Sequence, residues 1–167
     1  MKVLVDTPVW SLGLRRRRKD LSRAERELLF ALRDLVVRDE AALVGVVRME
    51  LLSGTPDPAA FERLREYLRD FEDEPVLVQD YEEAARCDNL CRAGGVAPSP
   101  IDMLLCAVSL RTGAPIFTSD HDFARYARLI PIRTATAAEL QASSASSDDN
   151  SGGDQEGSSS GGHSTGK

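Results

Sequence analysis

The chain has 167 residues, 42% of them hydrophobic, and a formal net charge of −6. It carries enough apolar material for one buried core but no apolar run long enough to span a bilayer, and its opening MKVLVD is charged too soon for a secretory leader. These features exclude a membrane-spanning helical protein and set the expectation of a soluble, cytoplasmic chain with no membrane partner. Net acidity also excludes nucleic-acid binding through bulk charge, although half of the excess sits in the stretch 143–167, where Asp148, Asp149, Asp154 and Glu156 face only Lys167.

The first apolar run, VLV at 3–5, reads as a strand that ends on Asp6, with Thr7 and Pro8 placed to open a helix at once. Basic residues cluster next, as RRRRK at 15–19. Helical periodicity covers 23–38, ALVG at 42–45 reads as a second strand, and helices are expected over 46–52 and 58–71. PVLV at 75–78 reads as a third strand, followed by helices over 80–93 and 101–111. PIF at 115–117 is the expected fourth strand, with a helix over 122–127 and a short fifth strand near 130–132 after it. Alternation of strand and helix without hairpin turns implies an α/β fold whose parallel strands are covered on both faces.

The folded domain is expected over 1–141. The Ser/Gly/Asp-rich remainder, 142–167, offers almost no apolar side chains to offset the entropy lost on ordering and is expected to be disordered. Its GGHSTGK imitates the start of a phosphate-binding loop, but no strand leads into it, so the match is coincidental. Cys87, Cys91 and Cys106, with two histidines in the chain, make no four-ligand zinc pattern and read as reduced packing residues.

In open parallel sheets, sites form beyond the carboxyl ends of the strands, so acids placed there count. Asp6 closes the first strand and Asp120 the fourth, within PIFTSDHDF. Glu50 lies in VVRMELLSG after the second strand, Asp102 lies in SPIDMLLCAVSL near a helix start, and Asp122 is a possible fifth. Most have a structural alternative. Ser99, Pro100 and Asp102 fit the N-cap, N1 and N3 positions of a helix, with Asp in place of the usual Glu of a capping box. Asp120 and Asp122 fit caps of the next helix, and Asp6 suits a helix N-terminus through the macrodipole. Glu50, in apolar surroundings, has no obvious cap role. Gathered at one cleft, these carboxylates repel one another and a divalent cation relieves the repulsion; oxygen donors without His or Cys select magnesium, or manganese, over zinc. Such an ion assists in-line attack on phosphorus, which points to a phosphodiester substrate.

At these residues the sequence resembles the PIN-domain family, and within it the VapC-type toxin nucleases of toxin–antitoxin systems. The matching pieces are VLVDTPVW around Asp6, MELLSG around Glu50, PIDMLLCAVSL around Asp102 and PIFTSDHDF around Asp120, in that order across nearly the whole folded part. The resemblance implies a PIN-like three-layer α/β fold, with a parallel sheet of about five strands flanked by helices. It implies a magnesium-dependent endoribonuclease that hydrolyses RNA phosphodiester bonds with a metal-activated water, leaving 5′-phosphate and 3′-hydroxyl ends. Residue by residue, Asp6, Glu50, Asp102 and Asp120 match the acidic quartet that is catalytic and metal-binding in the family. Asp122 matches an additional acid, and Thr118 or Ser119 serves to orient a ligand or water. Where the family has Ser after Asp-Thr this chain has Pro8, which leaves Thr7 as the available hydroxyl. The resemblance further implies the toxin component of a type II system, a homodimer neutralised by a cognate antitoxin whose peptide covers the acidic cleft, and contact with operator DNA only through that antitoxin.

RRRRK reads either as an RNA-phosphate contact through Arg15, Arg16, Arg17 and Arg18, whose guanidinium groups suit bidentate binding, or as a solvated loop or a patch for an acidic partner. Thr7 and Ser119 join these arginines as candidate substrate contacts. Trp10, Leu12 and Leu14 read as helix packing or a dimer face, and His121 as a solvated surface residue. Phosphoaspartyl proteins also end their first strand on Asp, but the phosphatases among them want a second Asp where Pro8 stands. They also use a late Lys, whereas the lysines here are Lys2, Lys19 and Lys167. Two further readings keep the fold: a housekeeping PIN nuclease of RNA maturation, and a non-catalytic binding module whose acids only cap helices.

Overall fold

The computed structural model describes the backbone of residues 1–15 and 20–148 and the side chains of 1–14 and 20–143. The expected RNA-contacting cluster of Arg15, Arg16, Arg17 and Arg18 lies outside the described side chains, and residues 149–167 of the expected tail lie outside the described residues altogether. Strand β1 (Val3–Val5) leads through α1 (Thr7–Arg15) and α2 (Arg23–Val37) to β2 (Ala41–Val44). Helices α3 (Gly45–Ser53) and α4 (Pro58–Leu68) lead to β3 (Asp73–Glu74), and α5 (Val78–Ala93) and α6 (Pro100–Thr112) to β4 (Ile116–Phe117). Helix α7 (Asp122–Tyr126) precedes β5 (Thr134–Ala135), and α8 (Ala137–Asp148) follows it.

Neighbouring strands pair in parallel in the order β3-β2-β1-β4-β5, the five-stranded sheet expected from the alternation. The first two crossovers step outward on one side of β1, and the α5–α6 connection then carries the chain back to its other side. That reversal sets the topological switch point between β1 and β4, with a crevice beyond their carboxyl ends. Short strands suffice because helices bury both faces: Val3, Leu4, Val5, Leu43, Val44, Ile116 and Phe117 are all at most 1% exposed. Helix α6 is buried over Met103 to Ser109, as its all-round apolar sequence requires, and the Ser109 hydroxyl donates to the Ala114 carbonyl at 2.6 Å to tie it to β4. Cys87, Cys91 and Cys106 are free and buried, and burial pushes the Cys87 thiol up to about 11, so they pack as the composition suggested. Trp10 is core, edge-on to Phe71 at 5.0 Å between ring centroids. Among the described residues no helix is long and apolar enough to cross a membrane.

Helix starts follow local chemistry. Ser22 and Glu25 form a reciprocal capping box, and Asp57 caps α4 ahead of Pro58. Ser99 caps α6 ahead of Pro100, and Gly113 stops that helix in the left-handed region at φ 72°. Two strands differ from the sequence reading. The third is the acidic pair Asp73–Glu74, not PVLV: Pro75 has no N–H to give a ladder, and Val78 already begins α5. Distant arginines hold this acidic strand in place. Arg48 on α3 donates from Nε to both Asp73 oxygens at 3.0 Å and closes the end of α4 through the Leu68 and Phe71 carbonyls, both at 2.8 Å. Arg111 on α6 reaches Glu74, the Pro75 carbonyl and the buried Asp80. The fifth strand is Thr134–Ala135, beyond the expected 130–132; Ile130 and Ile132 are buried in the turn leading to it, around Pro131. Helix α8 carries regular backbone past position 141, packs against α2 and buries Leu140 in the core.

At the end of α5, a Cβ on Gly94 would lie 2.7 Å from Leu129 Cδ2 and 2.8 Å from its Cδ1. Gly94→Ala is therefore expected to turn the half-buried Leu129 side chain aside, at a cost of about 0.5–1.5 kcal/mol. Urea titration measures it, and Leu129→Ala in the same chain recovers part of the loss.

Candidate functional site

The β1–β4 ladder builds the centre of the crevice. Leu4 N–H donates to the Pro115 carbonyl at 2.9 Å and Asp6 N–H to the Phe117 carbonyl at 3.0 Å, which sets Asp6 beside Thr118. The Asp6 side chain is only 4% exposed. Its Oδ1 accepts from the Thr7 N–H at 2.8 Å and its Oδ2 from the Thr118 hydroxyl at 2.7 Å. This is not ordinary capping, which would use the second or third helical N–H: Pro8 has none, and the Val9 N–H goes to the Asp6 main-chain carbonyl at 3.2 Å. Burial pushes the Asp6 carboxyl up to about 6 against the lowering effect of the Thr118 and Thr7 bonds, and the charges of Asp102 and Asp120 add to the rise.

Glu50 is carried in by α3, which follows β2 without a loop, and its Oε2 accepts from the Thr7 hydroxyl at 2.6 Å. That hydroxyl, expected at the substrate, is thus engaged in holding an acid. Asp102 stands at the third position of α6, where Ser99 Oγ accepts from the Ile101 N–H at 3.2 Å and the Asp102 N–H at 3.3 Å. Its carboxylate is not the return half of a capping box; Oδ2 accepts from the Tyr126 hydroxyl at 3.0 Å. Burial raises the Asp102 pKa, the Tyr126 bond opposes the rise, and Asp120, Glu50 and Asp122 add to it. Asp120 is exposed: its N–H donates to Thr118 Oγ1 at 2.9 Å, and its Oδ1 accepts from the Asp122 N–H, also at 2.9 Å. Asp122 opens α7 with Arg125 as an ion-pair partner at 3.1 Å. Of the two hydroxyls considered after β4, Thr118 links Asp6 to Asp120, while Ser119 is exposed beside it.

The five acids therefore share one cleft, and the charges of their neighbours add to the raised pKa of Asp6 and of Asp102. Among the described residues, however, no group of three or more His, Cys, Asp or Glu is drawn together closely enough to hold an ion. Tyr126 was not foreseen. Its only sequence signal is the spacing of four from Asp122, which places both on one face of a short helix.

A doubly covered parallel sheet with carboxylates collected at its switch point defines the class: an α/β domain with an acidic cleft at the strand ends. The PIN domain profile matches residues 3–129, and the chain belongs to the PIN-domain family. The fold is similar to that of a chain in the crystal structure of FitAcB from Neisseria gonorrhoeae, at 18% identity and TM-score 0.64, covering 81% of this chain and 98% of that one. It is similar to a chain of VapBC2 from Rickettsia felis bound to a promoter DNA fragment, at 13% identity and TM-score 0.61, covering 81% and 98%. VapBC-5 from Mycobacterium tuberculosis, a member of the VapBC family of toxin–antitoxin systems, matches at 24% identity and TM-score 0.52, covering 74% and 89%.

Proposed function

We propose that the protein is a magnesium-dependent endoribonuclease, with manganese as an alternative ion, and the toxin component of a type II toxin–antitoxin system. The observation that carries this reading is the convergence of Asp6, Glu50, Asp102 and Asp120, from four separate segments, on the crevice between β1 and β4. The donor set fits a hard divalent cation: all four are carboxylates, and the upward shifts of Asp6 and Asp102 include mutual repulsion that a cation removes. Among the described residues no three of them are drawn close together, so such an ion would be held in part through its waters, as suits one that dehydrates reluctantly. Asp6, Glu50, Asp102 and Asp120 would hold it, with Asp122 further out beside Arg125. When bound, such an ion acidifies a water and offsets the charge that builds on phosphorus during in-line displacement.

The chain's own residues prepare that chemistry. The Thr7 N–H and the Thr118 hydroxyl fix both oxygens of Asp6, and the Thr7 hydroxyl fixes Glu50. A carboxylate outside direct ligation would accept the proton of an attacking water. Fold likeness to chains of VapBC complexes, one of them on promoter DNA, supports a cognate antitoxin as partner and operator DNA reached through it. A homodimer and an RNA substrate complete the reading.

Induced expression of this chain without an antitoxin is expected to arrest growth of the host cell, and Asp102→Asn to abolish the arrest at equal protein level. Growth indifferent to expression overturns the toxin assignment and favours a PIN nuclease of RNA maturation.

A further inference from the structure

Tyr126 is only 1% exposed at the end of α7, with its ring edge-on to Phe123 at 5.4 Å between centroids. A buried tyrosine needs a partner for its hydroxyl, and this one finds it at the start of α6. It donates to Asp102 Oδ2 at 3.0 Å. In a capping box that third-position carboxylate would instead accept from the N-cap N–H of Ser99. By donating to Oδ2, it holds the carboxylate in one orientation, and among the described residues Oδ1 has no other donor.

We propose that Tyr126 is a positioning residue that presents Asp102 to the divalent cation, an inference that rests on the metal-dependent reading above. Outer partners of this kind orient a metal ligand, and their loss typically weakens metal binding or activity by about 10- to 100-fold.

The test is Mn²⁺ binding to the full chain, read from the free-ion signal in electron paramagnetic resonance, for the wild type, Tyr126→Phe, Asp102→Asn and the double variant. Tyr126→Phe keeps the ring, so circular dichroism and the melting curve show it folded. It is expected to weaken Mn²⁺ binding by about tenfold. Asp102→Asn weakens binding at least as much, and adding Tyr126→Phe to it changes nothing more, because the two act as one unit. Unchanged binding in Tyr126→Phe, with binding lost in Asp102→Asn, overturns the positioning role and leaves the metal site standing. Equal and additive losses also overturn it, since Tyr126 would then act without Asp102. Absence of Mn²⁺ binding by the wild type overturns both the role and the metal reading beneath it.

Discussion

Asp6→Asn is expected to abolish RNA cleavage while making the protein more stable at neutral pH. The carboxyl titrates near 6 in the folded chain against 3.8 as its ordinary value, chiefly because it is buried. Below about pH 4 the group is protonated whether the chain is folded or not, and it has no effect on stability. As pH rises from about 4 to 6 the folded state retains a proton that the unfolded chain has lost, so stability falls through that window and the full penalty stands above it. The penalty is at most roughly 3 kcal/mol, and Asn, which is uncharged and can still accept from Thr7, removes it. Denaturant melts of both proteins without added metal, at pH 4 and pH 7, measure the effect. The gain should be present at pH 7 and vanish at pH 4, and a destabilised Asn variant at pH 7 would contradict the assignment. Added magnesium should stabilise the wild type more than the variant, because the ion binds the ionised carboxylates of the folded state.

Arg111→Ala is expected to be among the most damaging substitutions away from the cleft. Asp80 is 1% exposed, and both its oxygens receive bonds from Arg111 Nε, at 2.8 and 3.0 Å, while the Leu77 N–H donates to Oδ2 at 2.8 Å. Removing the arginine leaves a buried carboxylate without its counter-ion, a change that typically costs about 3–5 kcal/mol. It also frees the Pro75 carbonyl, bonded at 2.7 Å, and loosens the β3–α5 junction. Urea titration should show the loss, and adding Asp80→Asn should recover part of it by removing the stranded charge. A loss below about 1 kcal/mol would mean that water reaches Asp80 easily and that the pair behaves as a surface ion pair.

The parts of this structure legible in the sequence are those governed by local chemistry. Val3 to Val5 and Ile116 to Phe117 are apolar because both sheet faces are covered, and the acids after them stand out against that background. Ser99, Pro100 and Gly113 mark the ends of α6 within one residue of the expected span. The parts not legible depend on partners far away in the chain. Strand β3 is two acidic residues that have strand geometry because Arg48, 25 positions earlier, and Arg111 neutralise them, and no periodicity announces such a pairing. Helix α8 has little amphipathic pattern of its own and docks through Leu140 against a surface that α2 provides. The acidic cleft divides in the same way. Asp6, Glu50, Asp102 and Asp120 are visible as strand-end or helix-borne acids, whereas the hydroxyls of Thr7, Thr118 and Tyr126 that hold three of them emerge only when β1, β4, α3, α6 and α7 are brought together.

The most direct test of the central claim is cleavage of total cellular RNA by the purified chain in magnesium, in excess chelator, and with Asp6→Asn, reading the chemistry of the fragment ends. A cleft in which these four carboxylates serve a divalent ion predicts 5′-phosphate and 3′-hydroxyl ends that appear with magnesium and are lost in chelator and in the variant. Fragments produced equally well in chelator and by Asp6→Asn would contradict it.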